Sequence, residues 1–219
     1  MLRRDGRGRR AAGDVGELVL LLDRDLIIRL QHRRPDLYFV HAAVLEAAGG
    51  AVMLVAPSGG GKSTMAWALL HHGFAYLSDE LAPVDLTALT VYPYPRALTL
   101  KSDPPPAYPL PRGTLCTSRG FHVAPTAMPA PTRRTPVPLR TIFFLDRTVD
   151  VPPAIQRLTA AAATARLYPN VLNGLAHPGQ GLEGAIRLSR HVPSFELRAG
   201  GLTAAPALVS AALRSLPPC

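Results

Sequence analysis

The residue of this chain whose type and position best suit phosphate chemistry is Lys62. It follows three consecutive glycines and precedes Ser63 and Thr64, in the stretch VMLVAPSGGGKST at residues 52–64. Glycines let the backbone turn tightly enough for several N–H groups to point at one place, and the positive end of the following helix faces the same place. In such a loop the lysine reaches the β- and γ-phosphates and the serine hydroxyl holds magnesium. The stretch therefore predicts a loop that binds nucleotide phosphates and Mg²⁺, and it leaves the choice between adenine and guanine open.

The loop matches the Walker A pattern G-x-x-x-x-G-K-[ST] with one departure, Ala56 in place of the first glycine. Composition supports the match, because the 24 basic residues include only two lysines, Lys62 and Lys101, and one of them stands where a compact ammonium is needed. The alternative is a glycine-rich turn with no ligand. The residues predicted to contact the nucleotide are Pro57, Ser58, Gly59, Gly60, Gly61, Lys62, Ser63 and Thr64.

Two neighbouring acids, Asp79 and Glu80, end the apolar segment that follows this loop, and Asp79 lies 17 residues after Lys62. The carboxyl ends of parallel strands open on one edge of a sheet, so Asp79 is expected to face the γ-phosphate. A carboxylate there accepts the proton of an attacking hydroxyl or, together with Ser63, holds magnesium. Glu80 joins the site only if the strand end twists, because strand neighbours point to opposite faces. The alternative is a surface turn with two solvated acids.

His41, taken by itself, favours a half-buried strand histidine over a catalytic one. In order, however, residues 40–80 read VHAAVLEAAGGAVMLVAPSGGGKSTMAWALLHHGFAYLSDE. This order resembles the catalytic core of the HPr kinase/phosphorylase family and its smaller stand-alone relatives, which have a strand histidine, a phosphate loop and a strand ending in a pair of acids. The resemblance is specific over residues 40–85 and weak elsewhere.

The resemblance implies an α/β fold of the P-loop, HPr kinase/phosphoenolpyruvate carboxykinase-like type, a mixed sheet with flanking helices. It implies an ATP-dependent serine kinase in which Asp79 is the base on the acceptor serine. It adds His41, Lys62 and Glu80 as catalytic residues. The implied partner is a peptide or protein serine, and among the small relatives are kinases that phosphorylate lasso-peptide precursors.

The chain also departs from the family. It has no room for the N-terminal domain of the full-length enzyme, and the glycine-rich signature that follows the acid pair in the bifunctional enzyme is not evident. Phosphorolysis and HPr as the substrate are therefore in doubt. A small-molecule kinase on the same fold and a non-catalytic, nucleotide-gated binding protein remain open, and so does a homo-oligomer.

The elements expected around the motif form a mixed sheet. Residues 37–47 and 51–55 read as antiparallel strands joined by a Gly-Gly turn, and the second strand feeds the loop. Residues 62–72 have the spacing of a helix, with Gly73 placed to end it. Two short apolar runs around a charged turn predict a β-hairpin over residues 17–30.

The distribution of charge and the positions of the cysteines limit the classes of binding partner and the cellular compartment that we expect. Of the formal charge of +9, a net +4 lies in the first ten residues, so we expect a basic disordered tail at 1–14 and a single, modestly basic domain at 15–219. A solvated terminus is favoured over a nucleic-acid contact. No signal peptide or membrane span is evident, and the two cysteines lack metal-ligand spacing, which together predict a cytoplasmic protein without a membrane partner.

A proline-rich stretch divides the second half of the domain. Ten prolines lie within residues 103–138, so most of this region is expected to be loop, either a substrate lid or an irregular excursion. Its Arg133 and Arg134 are candidates for contacting the transferring phosphoryl group from a closing loop. Arg96 is a further candidate for a phosphate or acceptor contact, with a solvated side chain as the alternative.

Overall fold

The structure is a computed structural model that describes residues 2–4, 7–10, 12–146, 152–199 and 202–217. The helices are α1 (Val15–Arg33), α2 (Lys62–His71), α3 (Ala160–Leu167), α4 (Leu182–His191) and α5 (Ala205–Ser215). The strands are β1 (Leu2–Arg4), β2 (Arg7–Arg10), β3 (Tyr38–Val40), β4 (Ala42–Ala47), β5 (Gly50–Val55), β6 (Ala75–Ser78), β7 (Ala82–Asp85), β8 (Thr90–Val91), β9 (Leu98–Leu100), β10 (Leu115–Thr117), β11 (Gly120–Val123), β12 (Val137–Asp146), β13 (Ala154–Arg157) and β14 (Ser194–Arg198).

A mixed sheet forms the centre of the molecule, as predicted. Its strands follow the order β3-β7-β8-β12-β5-β4-β6, and β14 adds to β12 and carries β13. Strand β12 is parallel to both β5 and β14, whereas β5 with β4 and β4 with β6 pair antiparallel. The predicted hairpin of β4 and β5 is confirmed, with Ala47 opposite Gly50 at its turn.

This topology brings three chain segments to one edge of the sheet. Strands β5 and β6 are each antiparallel to β4, so they run in the same direction with β4 between them. Their carboxyl ends and the amino end of β4 therefore meet at one edge. Because Ala42 pairs with Val55, His41 lies at the edge where the glycine-rich loop begins.

Helices cover both faces of the sheet. Side chains alternate along β5, so this strand contributes to the apolar layer on each face. Leu54 packs with Trp67 of α2 and with residues of α5, whereas its neighbour Met53 packs in a second cluster with residues of α3 and α4. All three of these side chains are almost fully buried. The strand that feeds the loop is thus held from both sides, which makes its end a rigid support.

The hairpin predicted for residues 17–30 is wrong, because this segment is part of the nineteen-residue helix α1. The Asp14 side chain accepts a hydrogen bond from the Glu17 backbone N–H, and the Glu17 carboxylate accepts one from the N–H of Gly13. This reciprocal pattern caps a helix, and the spacing D-x-x-E is its sequence signal. Ile27 and Leu30 then pack the helix against a small cluster around Phe39.

The proline-rich region contains more structure than its composition predicts. Strands β10 and β11 pair antiparallel, and β11 pairs with β9 to make a separate three-stranded sheet. Both strands lie within residues 112–124, a stretch that contains none of the ten prolines. The predicted division into a basic tail at 1–14 and a single domain at 15–219 stays a prediction. In the first of these ranges β1 and β2 pair antiparallel, and positions 1, 5, 6 and 11 lie outside the described residues.

Among the described residues, none of the helices combines the length and the apolar character needed to span a membrane.

Candidate active site

The glycine-rich loop, residues 56–61, lies between β5 and α2 and has the backbone that its sequence predicts. Gly59 and Gly61 have φ angles of 79° and 87°, in the left-handed region that side-chain-bearing residues avoid. The Gly60 N–H donates to the Pro57 carbonyl at 2.9 Å, and the Met65 N–H donates to the Gly61 carbonyl at 2.8 Å as the helix begins. The chain therefore turns within a few residues from a buried strand into the amino end of a helix.

The departure at Ala56 fits this turn. Ala56 is 3% exposed, and a Cβ built on Gly60 would lie 2.6 Å from the Ala56 Cβ and 2.9 Å from the Pro57 oxygen. The alanine methyl thus fills space that a side chain at position 60 would need. Glycine is required at position 60, and alanine is accommodated at position 56.

The Lys62 ammonium folds back onto the loop. It donates to the Ala56 carbonyl at 2.9 Å and to the Pro57 carbonyl at 3.4 Å, and its Nζ lies 2.9 Å from Nε2 of His41. Burial lowers the pKa of Lys62, whereas the charges of Glu80 and Asp79 raise it. The three donors of the ammonium are directed at loop carbonyls and an imidazole nitrogen, so phosphate oxygens can replace these partners within the same small volume.

The Ser63 hydroxyl and the Asp79 carboxylate meet at the base of the loop. Oγ of Ser63 donates to Oδ2 of Asp79 at 2.8 Å, and Asp79 is 1% exposed. Burial raises the pKa of Asp79 to about 6, and the neighbouring charge of Glu80 acts in the same direction. This contact joins the first turn of α2 to the residue that follows β6, although β4 lies between β5 and β6 in the sheet. A contact of Asp79 with the γ-phosphate stays a prediction.

The Glu80 side chain reaches the site because Glu80 lies beyond the end of β6, where side chains no longer alternate between the two faces of the sheet. Strand β6 stops at Ser78, and Glu80 has a φ of 69°, a left-handed value that is rare for a residue with a long side chain. Its Oε2 lies 3.4 Å from Nδ1 of His41. Burial lowers the pKa of His41, so its neutral form is favoured. A neutral ring with its proton on Nδ1 donates to Glu80 and accepts from Lys62, which satisfies both contacts.

The donors at the loop suit a magnesium ion. Among the described residues, Oδ1 of Asp79 is buried without a hydrogen-bond partner, and the nearby Ser63 hydroxyl supplies a second hard oxygen. The described residues contain no group of three or more His, Cys, Asp or Glu side chains arranged to hold a metal. Magnesium does not need such a group, because it is usually held by one or two carboxylates, water and substrate phosphates. Ser63 and Asp79 are therefore the residues that fit it.

A cavity of about 1140 Å³ opens over the loop. Residues 58–65 line it on one side together with His41 and Glu80, and α1 and the segment around β9 line it elsewhere. The volume exceeds the range of roughly 300–1,000 Å³ that is usual for small-ligand sites. The cavity has room for a nucleotide and for part of a second molecule.

One wall of the cavity was not foreseen from the sequence. Asp23 of α1 pairs with Arg96 at 2.5 Å, and both side chains are about 85% buried, being 16% and 15% exposed. Leu22 and Leu26 of the same helix also line the cavity while remaining 40% and 56% exposed. The D-x-x-E capping pattern at the start of α1 was the sequence signal for this helix, and the hairpin prediction did not take it into account. Arg96, a predicted contact candidate, does face the cavity, but with a carboxylate as its partner.

The two arginines proposed for a closing loop do not line this cavity. The Arg133 guanidinium pairs with Glu46 of β4, and the Arg133 N–H donates to the Tyr76 carbonyl at 2.8 Å. These contacts anchor the segment to the sheet edge beside β6. Arg133 therefore has a carboxylate partner in the structure, and a phosphoryl contact from Arg133 or Arg134 stays a prediction.

No protein-family model and no curated protein sequence matches the chain. Among solved structures, the Hpr(Ser) kinase/phosphatase from Coxiella burnetii is similar with a TM-score of 0.43 and 14% identity, over 80% of this chain and 88% of that chain. At this score the likeness carries no argument about function, which depends on the geometry of the site.

Proposed function

We propose that the protein is an ATP-dependent kinase of the P-loop, HPr kinase-like type that transfers the γ-phosphoryl group to a serine hydroxyl of a peptide or protein. The observation that carries the proposal is the contact of the Ser63 hydroxyl with the buried Asp79 carboxylate directly under the glycine-rich loop. The alternative for Asp79 was a surface turn with two solvated acids. Such a turn would leave the carboxylate in water and would not bury it against Ser63.

In the proposed complex the amides of residues 58–64 and the Lys62 ammonium hold the phosphates of ATP. The acceptor oxygen forms a bond to the γ-phosphorus while the bond to the ADP oxygen breaks, and the hydroxyl proton passes to a carboxylate. Magnesium, when bound, neutralises charge on the β- and γ-oxygens. Ser63 and Asp79 are the residues proposed to hold it.

Two carboxylates compete for the role of base. Asp79, the predicted base, is 1% exposed and is engaged with Ser63, whereas Glu80 lines the cavity and its side chain is 38% exposed. An acceptor hydroxyl in the cavity reaches Glu80 without displacing the serine contact. We therefore assign the proton to Glu80 and the metal to Asp79, with His41 orienting the Glu80 carboxylate.

Two matched variants test this division. Glu80→Gln should lower kcat by about 10²- to 10⁴-fold, the usual contribution of a general base, with nucleotide affinity and the magnesium requirement unchanged. Asp79→Asn should also lose transfer, but it should need a higher magnesium concentration for nucleotide binding. Wild-type kcat in Glu80→Gln would return the base role to Asp79. Full activity in both variants would remove the kinase proposal.

The acceptor class is tested with labelled ATP and two panels, one of serine-containing peptides and one of sugars and nucleosides. We expect a mass increase of one phosphoryl group on a serine peptide and none on the small molecules. Transfer to the second panel alone would make the protein a small-molecule kinase. Nucleotide binding without transfer to either panel would favour a nucleotide-gated binding protein.

A further inference from the structure

A second lysine, Lys101, follows directly after strand β9 and lines the cavity. Leu98 and Leu100 are 0% and 1% exposed and point into the core, so the alternation of the strand turns Thr99 to the other side. Both Thr99 and Lys101 line the cavity over the glycine-rich loop. Lys101 therefore lies on the cavity at the point where β9 ends.

The choice of lysine at this position is informative in this chain. Lys62 and Lys101 are the only lysines among 24 basic residues, and both line one cavity. An arginine presents a planar fork, whereas a lysine presents a compact point charge on a flexible stem. The others among those 24 basic residues are all arginine, and the two lysines line the same cavity.

Lys101 and Lys62 line the same cavity, and carboxylates line it too, among them Glu80 and Asp103. Lys101 is exposed, and no ion pair or hydrogen bond joins its ammonium to another described residue. Repulsion between like charges across a cavity is relieved when an anion lies between them.

We propose that Lys101 and Lys62 bind one polyphosphate together, with Lys101 contacting oxygens of the phosphoryl group that is transferred. The inference rests on the proposed kinase function and adds a catalytic residue to it. As the bond to the leaving oxygen breaks, charge is spread over the phosphoryl oxygens, and a cation already in place stabilises that charge. The exposed stem of Lys101 lets the ammonium approach the ligand without opening the fold.

The test uses Lys101→Ala, Lys101→Arg and the matched control Arg112→Ala, which removes one charge from an exposed position in the same region. The probe is inorganic tripolyphosphate, measured by displacement of a fluorescent nucleotide, beside kcat and KM for ATP. Lys101→Ala should weaken tripolyphosphate binding and lower kcat by about 10- to 100-fold, the range for a charged hydrogen bond. Lys101→Arg should recover part of the loss, because it restores the charge but not the compact ammonium, and Arg112→Ala should resemble wild type.

Three results would overturn the inference. They are wild-type binding and kcat in Lys101→Ala, an equal loss in Arg112→Ala, and a loss in Lys101→Ala that comes with a lower melting temperature and is not recovered by Lys101→Arg. Lys62→Ala separates this failure from failure of the proposed function. If Lys62→Ala loses tripolyphosphate binding while Lys101→Ala does not, only the second lysine is wrong. If neither variant loses binding, the phosphate site itself is wrong.

Discussion

At the scale of single residues, Asp79 combines a cost to stability with a proposed function. Its pKa is about 6 in the folded protein, raised from an ordinary value of 3.8 chiefly by burial. The folded state therefore holds this proton more tightly than the unfolded state does. The contribution of the group to stability is fully present below the unfolded pKa near 4 and is lost as the pH rises through 6.

Replacing this carboxylate should therefore stabilise the metal-free protein at neutral pH. The shift corresponds to on the order of 3 kcal/mol, and an amide cannot ionise, so Asp79→Asn should melt at a higher temperature than wild type at pH 8. The difference should shrink as the pH falls from 6 towards 4. Thermal melts at several pH values in the presence of EDTA measure it, with Asp103→Asn as the exposed control. A constant difference at every pH would contradict a raised pKa.

At the scale of elements, helix α1 forms the cavity wall and depends on its first turn. Asp14 accepts from the Glu17 N–H through one carboxylate oxygen and from the Ser118 hydroxyl through the other, which ties the start of the helix to the β10–β11 turn. Farther along, Asp23 pairs with Arg96. The cap thus holds the register in which α1 presents Asp23 to the site.

Removing the cap should weaken this wall. Asp14→Ala should cost about 0.5–2 kcal/mol, the usual range for losing an N-cap, and should cost more than Ser118→Ala, which removes only the exposed partner. Urea denaturation measures both changes. Equal and negligible effects of the two variants would show that the first turn of α1 does not stabilise the fold.

At the scale of the whole molecule, the support of the site is a sheet packed on both faces. Met53 and Leu54 are neighbours on β5, are fully buried and belong to different apolar layers. Met53→Ala and Leu54→Ala should each cost about 2–5 kcal/mol and should unfold in one transition. Leu175→Ala, at a side chain that is 90% exposed, is the control and should change stability little. Two separate transitions in either variant would mean that the layers fold independently.

Local chemistry was readable from the chain alone. The glycines, Lys62 and Ser63 predicted a tight strand-to-helix turn, because only glycine adopts its left-handed angles freely, and the structure has that turn. The antiparallel strands before it were readable from two apolar runs around a Gly-Gly turn. In these two segments the local preference and the fold agree, which is the consistency expected of a natural sequence.

Contacts between distant segments were decided only by the tertiary structure. Apolar runs at residues 17–30 fit a hairpin or a helix, and packing on the cluster around Phe39 with the Asp14 cap selects the helix. The insertion of β4 between β5 and β6 brings His41 beside Lys62, and the left-handed backbone at Glu80 turns its carboxylate to the same place. Strand order and backbone strain are properties of the assembled sheet. Strand order and backbone strain cannot be predicted from the spacing of residues along the chain. The amino-acid sequence therefore specified the glycine-rich loop, and the tertiary structure determined which side chains face that loop.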